Sequence, residues 1–127
     1  QILVDAPCSG SGTLDVADPK MPKRFTPTLV EKSVKAQRAL LAKALRLLKP
    51  GGRLVYSTCS VLRRENEDVV GACLKDAGKH GLYRIDPIDA AAFAGLPLLP
   101  GALEGALSVC PTELFEGFFV VAIRREA

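Results

Sequence analysis

The stretch KPGGRLVYSTCS, residues 49–60, decides the fold of this chain. Its first four residues end a helix, because glycine is favoured just past a helix C-terminus and proline cannot continue the helix. Arg53 to Ser57 follows as a short apolar run, which predicts a buried strand. The stretch therefore marks a passage from helix to strand, and the segments before it show which kind of sheet that strand joins.

Another strand is predicted upstream at residues 1–6, QILVDA, an apolar run that closes with Asp5 and is followed by Pro7 and a Gly/Ser cluster. A continuous run of this kind is typical of a strand buried on both faces of a parallel sheet. A long helical segment separates it from residues 53–57, and a crossover of that length pairs the two strands in parallel. The predicted fold class is therefore α/β.

The helix of this crossover is predicted to begin at Thr26-Pro27-Thr28. Thr28 and Glu31 match a capping box, and Pro27 suits a first helical turn. The apolar positions step by threes and fours, with Gln37 on the same stripe: Val30, Val34, Leu41, Leu45 and Leu48. Residues 13–25 show no period and are predicted to form an ordered surface loop.

The second half of the chain is patterned less evenly. Residues 63–81 carry Val69, Cys73 and Ala77 at helical spacing, with acids near the start and glycines at the end, which predicts a helix. Residues 118–123 predict a strand. Between them, residues 82–110 show one short strand candidate at 82–85 and no further organisation.

Length and composition fit one globular domain. The 127 residues are 48% hydrophobic and 24% charged, as in ordinary soluble proteins. No apolar run approaches the ~20 residues of a membrane span, and no secretory leader is visible, so a cytoplasmic setting is expected. The chain starts at Gln1 directly in a predicted strand, which indicates a piece of a longer protein.

Four cysteines are spread widely, at positions 8, 59, 73 and 110. They form no C-x-x-C pair, and His80 is the single histidine, so the sequence argues against a zinc or other metal site and against a disulfide framework. Cys73 and Cys110 lie in apolar segments and are interpreted as small core residues.

Cys8 and Cys59 have a different setting, since each follows a predicted parallel strand. The carboxyl ends of such strands form the edge of the sheet where ligands bind. We therefore expect both thiols on one rim with Asp5 beside them. The turn Gly10-Ser11-Gly12 could also hold a phosphate, but the G-K-[ST] of a P-loop is absent.

Two strings of this sequence, DAPCSGSGT (residues 5–13) and LKPGGRLVYSTCSVLRRENEDVV (48–70), resemble the Sun-family RNA (cytosine-5) methyltransferases. CPTELFEGFFVVAIRRE (110–126) is similar to the closing strand of that family, with Glu116 where many members have Asp. The resemblance implies a Rossmann-like class I methyltransferase sheet whose last strand is antiparallel, and S-adenosylmethionine as cofactor.

The resemblance also implies roles for individual residues. Cys59 would be the thiolate that adds to carbon 6 of cytosine, and Cys8 would assist release of the adduct. Asp5 would contact the base and, with Pro7, border the cofactor. DNA cytosine methyltransferases use a Pro-Cys cysteine as nucleophile, so Cys8 stays the rival candidate for attack.

Charge is distributed unevenly along the chain. Residues 20–53 hold ten Lys or Arg and one acid, a local balance of +9, whereas the rest of the chain balances at −6. This pattern favours an RNA substrate, rRNA or tRNA, with Lys20, Lys23 and Arg24 behind the Cys8 turn as contacts. The basic residues of the helix are interpreted as a solvated face: Lys32, Lys35, Lys43, Arg46 and Lys49.

The Gly-rich cofactor loop and the acid after the second strand of such a fold do not occur here. We therefore expect residues 1–127 to be the carboxyl-terminal part of one catalytic domain, from a monomeric parent, that binds S-adenosylmethionine weakly when isolated. The alternative is a non-catalytic RNA-binding fragment or degenerate relative. A thiol redox enzyme or phosphatase is disfavoured, since C-x-x-C is absent and Glu65, not Arg, stands six residues after Cys59.

Overall fold

The computed structural model describes residues 1–101 and 103–127. Its helices and strands, in chain order, are β1 (Ile2–Asp5), α1 (Met21–Arg24), α2 (Pro27–Leu47), β2 (Arg53–Thr58), α3 (Glu67–Ala77), β3 (Tyr83–Ile85), β4 (Leu98–Leu99), β5 (Leu107–Val109) and β6 (Phe118–Arg125). Two short 3-10 turns lie at Ser11–Thr13 and Ala90–Phe93. No helix in these described residues is both long and apolar enough to span a membrane.

The strands form one mixed sheet in the order β1-β2-β6-β5-β4, and β3 also pairs with β6. β1 and β2 are parallel, with Asp5 opposite Ser57. Every pair that includes β6 is antiparallel. The predicted α/β class, with a parallel pair joined through a helix and an antiparallel last strand, is confirmed.

Helix α2 begins two residues earlier than the predicted capping box requires. Thr26 is the N-cap, and its Oγ1 accepts a hydrogen bond of 3.2 Å from the backbone N–H of Leu29. Pro27 occupies the first helical position, where no N–H is needed. The capping box of Thr28 and Glu31 is therefore wrong, because Thr28 already lies inside the helix.

The core lies between the sheet and helices α2 and α3. All of the predicted α2 stripe is buried except Val34, which is partly buried. Burial of each large apolar side chain stabilises the fold by about 1.5–3 kcal/mol. The sheet contributes Leu54, Tyr56, Phe119, Val121 and Ile123, and α3 contributes Val69, Val70 and Cys73.

Strand β1 differs from its prediction. Ile2 and Val4 pack against the core, but Leu3 is 72% exposed and Asp5 is exposed. The prediction that this strand is buried on both faces is wrong, because the packed helices cover the face with Ile2 and Val4. Among the described residues β1 pairs with β2 alone, so it is an edge strand.

Two irregular regions contain more structure than their sequence patterns suggest. The predicted loop 13–25 includes the one-turn helix α1. The region 82–110 contains β3 at the predicted place, and also a 3-10 turn, β4 and β5. These last strands, β4 and β5, are two and three residues long, which is too short for a sequence pattern to reveal a strand.

Candidate active site

Two cysteines meet at the carboxyl ends of β1 and β2. Beyond the parallel register, the backbone N–H of Ala6 donates to the carbonyl of Ser57 at 2.9 Å, which keeps the two chains side by side. Cys8 and Cys59 follow, and their Sγ atoms lie 3.0 Å apart. Both are free, partly exposed thiols. The structure thus brings together the two cysteines that the strand ends were expected to place on one rim.

Asp5 lies at the same end of the sheet. Its Oδ1 accepts a hydrogen bond of 2.8 Å from Ser57 Oγ on the paired strand. The residue is otherwise exposed, so its carboxylate is oriented by β2 and still accessible to a ligand. Pro7 is exposed too, and its carbonyl accepts a hydrogen bond of 2.9 Å from Gln37 Nε2. This contact gives the polar member of the α2 stripe a role in fixing the Cys8 turn.

The glycine turn after Cys8 is held against β6. Gly12 donates its N–H to the carbonyl of Cys59 at 3.0 Å, and Gly117 donates to the carbonyl of Gly12 at 2.8 Å. A Cβ on Gly12 would lie 2.4 Å from the Gly117 oxygen, closer than packed atoms allow. The N–H of Gly12 is therefore occupied, which disfavours the phosphate-cradle interpretation of this turn.

Cys59 is protonated at neutral pH in this arrangement. Burial, which is the largest cause, together with the hydrogen bond and the charge of Cys8, raises its pKa from 9.0 to about 11. The Glu116 carboxylate adds a smaller upward effect, and a backbone hydrogen bond opposes it. A nucleophilic role for Cys59 therefore requires that its proton leave when the substrate arrives.

Sequence reasoning missed Glu65. This side chain is fully buried beneath the two cysteine turns and bonds to both of them. Its position ahead of the apolar period of α3 makes it indistinguishable in sequence from the partly exposed Glu67 and the exposed Asp68 near it. The signal that could have suggested its role is its short distance in sequence from Cys59.

The predicted RNA contacts lie on and beside α1. Lys20 and Lys23 are exposed, and Arg24 Nη1 pairs with Asp18 Oδ2 at 3.2 Å. A cavity of about 370 Å³ separates α1 from the Cys8 turn and is lined by Ser9, Thr13, Met21, Arg24 and Phe25, among others. Of the three basic residues, Arg24 alone lines this cavity; the basic side chains of α2 are exposed, as predicted.

The two remaining cysteines lie apart from this rim. Cys73 is buried on α3, as predicted, and its thiol donates to the carbonyl of Arg38 at 3.6 Å. Cys110 is only partly buried. The interpretation of Cys110 as a core residue therefore holds in part.

Comparison with known sequences gives the chain its family. Residues 1–124 match the family model of the 16S rRNA methyltransferases RsmB/F. The chain is 41% identical to ribosomal RNA small subunit methyltransferase F of Shewanella loihica, over 99% of this chain and 25% of that protein. The protein of the same name from Escherichia coli (strain SMS-3-5) is 42% identical, over 98% of this chain and 25% of that protein. The chain thus spans about a quarter of the curated relatives that it matches.

Solved structures agree with this assignment. The structure of NSun6 from Pyrococcus horikoshii with SFG, an analogue of S-adenosylmethionine, superposes with a TM-score of 0.73 at 29% identity, over 98% of this chain and 29% of that one. A methyltransferase homolog protein from Pyrococcus horikoshii gives a TM-score of 0.59 at 30% identity, over 98% of this chain and 38% of that one. With a family match along almost its whole length, the chain belongs to the RsmB/F family of 16S rRNA methyltransferases.

Proposed function

We propose that this chain supplies the base-reacting part of an enzyme that transfers a methyl group from S-adenosylmethionine to carbon 5 of cytosine in ribosomal RNA. The observation that carries the proposal is the pair of free thiols, 3.0 Å apart, at the carboxyl ends of two parallel strands. The relatives are ribosomal RNA small subunit methyltransferases, which favours rRNA of the small subunit as substrate. The domain boundary expected from the sequence, a carboxyl-terminal part of one catalytic domain, belongs to the same proposal.

Cys59 is the nucleophile in this proposal. Carbon 5 of cytosine is a weak nucleophile, and addition of a thiolate to carbon 6 turns it into the electron-rich carbon of an enamine. The Cys59 thiol must first lose its proton, and its raised pKa means that this loss accompanies binding of the base. S-adenosylmethionine supplies the methyl group when bound.

Cys8 takes part in release. After carbon 5 has gained the methyl group, its remaining proton leaves to a base and the carbon–sulfur bond to Cys59 breaks, which restores the aromatic ring and the thiolate. The Cys8 sulfur lies beside the Cys59 sulfur. In that position it can exchange a proton with the leaving thiolate and keep it from adding again to the base.

Asp5 is suited to orient the base. Its Oδ1 is held by Ser57, and the other carboxylate oxygen can accept a hydrogen bond from the exocyclic amine of cytosine or stabilise a protonated ring nitrogen. The same exposed end of β1, with Pro7 next to it, would border the cofactor. These residues would contact only one side of S-adenosylmethionine. We therefore expect this chain alone to bind the cofactor weakly.

RNA would approach over α1. Lys20 and Lys23 present charge to phosphates, and Arg24 lines the cavity next to the Cys8 turn. Contacts to phosphates position a nucleic acid without reading its sequence. These residues are therefore proposed to hold the backbone beside the target cytosine.

Covalent trapping tests the proposal. Full-length protein is incubated with S-adenosylmethionine and small-subunit rRNA that carries 5-azacytosine, and the adduct is detected on a denaturing gel. Cys59→Ala should abolish the adduct, whereas Cys8→Ala should retain it. With unmodified rRNA, whose carbon 5 keeps the proton that elimination needs, Cys8→Ala should accumulate an adduct that the wild-type protein releases. Cys110→Ala is the matched control, a partly exposed cysteine outside the rim, and should behave as wild type.

Two outcomes would change the assignment. Loss of the adduct with Cys8→Ala alone would reverse the roles of the two thiols. RNA binding without an adduct in any form would favour the non-catalytic RNA-binding alternative.

A further inference from the structure

Glu65 is the one charged side chain that is buried in the described part of the chain. Its Oε1 accepts hydrogen bonds from Ser9 N at 2.7 Å and Gln37 Nε2 at 3.1 Å. Its Oε2 accepts from Ser9 Oγ at 2.6 Å and Ser60 Oγ at 2.5 Å. These four donors are neutral, and together they fill the acceptor positions of an ionised carboxylate.

The partners of this carboxylate flank the two thiols. Ser9 follows Cys8 in the chain, and Ser60 follows Cys59. Gln37 ties the carboxylate to α2, and the same Nε2 also donates to the carbonyl of the residue before Cys8. One buried carboxylate thus connects both cysteine turns to each other and to a helix of the core.

The direction of hydrogen-bond donation is fixed for the serine hydroxyl groups near Glu65. Since Ser60 gives its only hydroxyl proton to Glu65, its contact of 2.9 Å with Ser11 must be donated by Ser11. Ser11 in turn accepts from the backbone N–H of Val61 at 3.0 Å. A second link between the two turns therefore depends on the acceptor that Glu65 provides.

We propose, on the basis of the function proposed above, that Glu65 is a positioning residue whose carboxylate holds the Cys8 turn against the Cys59 turn and so sets the separation of the two sulfur atoms. Neither sulfur touches Glu65 in its hydrogen-bond network. The residue acts on Cys8 through Ser9 and on Cys59 through Ser60. All four donors engage the carboxylate, so Glu65 itself is fully bonded, while Gln37 Oε1 is a buried acceptor with no hydrogen-bond partner among the described residues.

A thiol–disulfide equilibrium reports how closely the Cys8 and Cys59 sulfur atoms are held together, and it does not require methyl transfer. Full-length protein is equilibrated with glutathione and glutathione disulfide. Cys8 and Cys59 lose two protons and two electrons and form one disulfide, and glutathione disulfide is reduced to two glutathione molecules. Mass spectrometry of the cross-linked peptide gives the equilibrium constant, which rises with the effective concentration of the two thiols.

Glu65→Gln keeps the size of the side chain but removes one acceptor oxygen and the charge. We expect the equilibrium constant for the disulfide to fall about tenfold or more and kcat for methyl transfer to fall about 10²-fold, with KM for RNA little changed. Ser60→Ala, a milder change that removes one donor, should shift both values in the same direction by a smaller factor.

Tyr83→Phe is the control for a general loss of stability. It removes a hydrogen bond of 3.0 Å to the carbonyl of Leu45, far from the thiols, and should leave both values unchanged. Folded Glu65→Gln protein with a wild-type disulfide equilibrium would overturn the proposal, whatever its activity. If wild-type protein transfers no methyl group, the proposed function fails, but the disulfide measurement still tests the positioning role.

Discussion

The two ends of β2 handle negative charge in opposite ways. At the carboxyl end, Glu65 is fully buried and bonded to neutral donors. At the amino end, Asp86 Oδ2 lies 3.1 Å from Arg124 Nη2 and 3.0 Å from Arg53 Nε. The second contact is an ion pair without hydrogen-bond alignment, since Arg53 Nε has no hydrogen-bond partner among the described residues.

The contacts at the carboxyl end of β2 hold their groups in one arrangement, whereas the ion pairs at the amino end can be replaced at little cost in free energy. Ion pairs of partly exposed side chains are worth about 0–1 kcal/mol, and salt and water can replace them. Removing one partner of a buried carboxylate lowers the stability of the fold by more, because the polar groups that remain are buried without a hydrogen-bond partner. The two thiols lie at the carboxyl end of β2, where breaking the hydrogen bonds of Glu65 would cost more free energy than breaking the ion pairs at the amino end.

The largest expected effect comes from removing the buried carboxylate. Glu65→Ala leaves four donors without their acceptor and a space in place of the side chain. We expect the free energy of unfolding to fall by about 3 kcal/mol, measured by urea denaturation. A loss below about 1 kcal/mol would place Glu65 with the exposed ion pairs and remove the contrast between the two ends.

The pH dependence of Cys59 sharpens the comparison, because no cation contributes to lowering its pKa. With a pKa near 11 instead of 9.0, its thiolate fraction at pH 8 is about a hundredfold smaller, so alkylation by iodoacetamide should be slow and rise through pH 9 to 11. Cys8→Ala removes two of the causes of the raised pKa, and we expect faster alkylation of Cys59 at pH 8. Peptide mass spectrometry follows each cysteine separately. A profile for Cys59 that levels off below pH 9 would contradict the assignment.

The smallest expected effect belongs to the other end of the strand. Asp86→Ala breaks the contacts to Arg53 and Arg124, and we expect a loss of about 1 kcal/mol that shrinks at high salt. The measurement is urea denaturation at two salt concentrations. If the free energy of unfolding fell by about as much as in Glu65→Ala and salt did not change this loss, the two ends of β2 would contribute equally to stability, and the contrast would be wrong.

The sequence predicted the features that follow from repeated patterns. The apolar stripe of α2 and the strands at 53–57 and 118–123 have clear periods or apolar runs, and the structure has them. The juxtaposition of Cys8 and Cys59 followed from the same reasoning, because parallel strands end at one edge. Their chemical roles were expected from the family resemblance and stay predictions.

Other features could not be predicted because they depend on contacts between distant parts of the chain. The cap at Thr26 was missed in favour of Thr28, since both residues are suitable caps and only the backbone of the folded helix decides. The exposure of Leu3 depends on which elements cover β1, which an apolar run does not reveal. Glu65 belongs to the same class, because its four donors come from residues 5 to 56 positions away.

The position of β6 between β2 and the strands β3 and β5 affects how the protein is made. A ribosome synthesises both cysteine turns well before Gly117, whose N–H closes the contact with Gly12, and before β6, which pairs with β2 along residues 119–124. Until then the nascent chain carries both thiols on an incomplete sheet with an open strand edge. We therefore expect assembly of the thiol pair to be a late event in synthesis, and a translation product that stops before Gly117 to contain both cysteines without holding them in register.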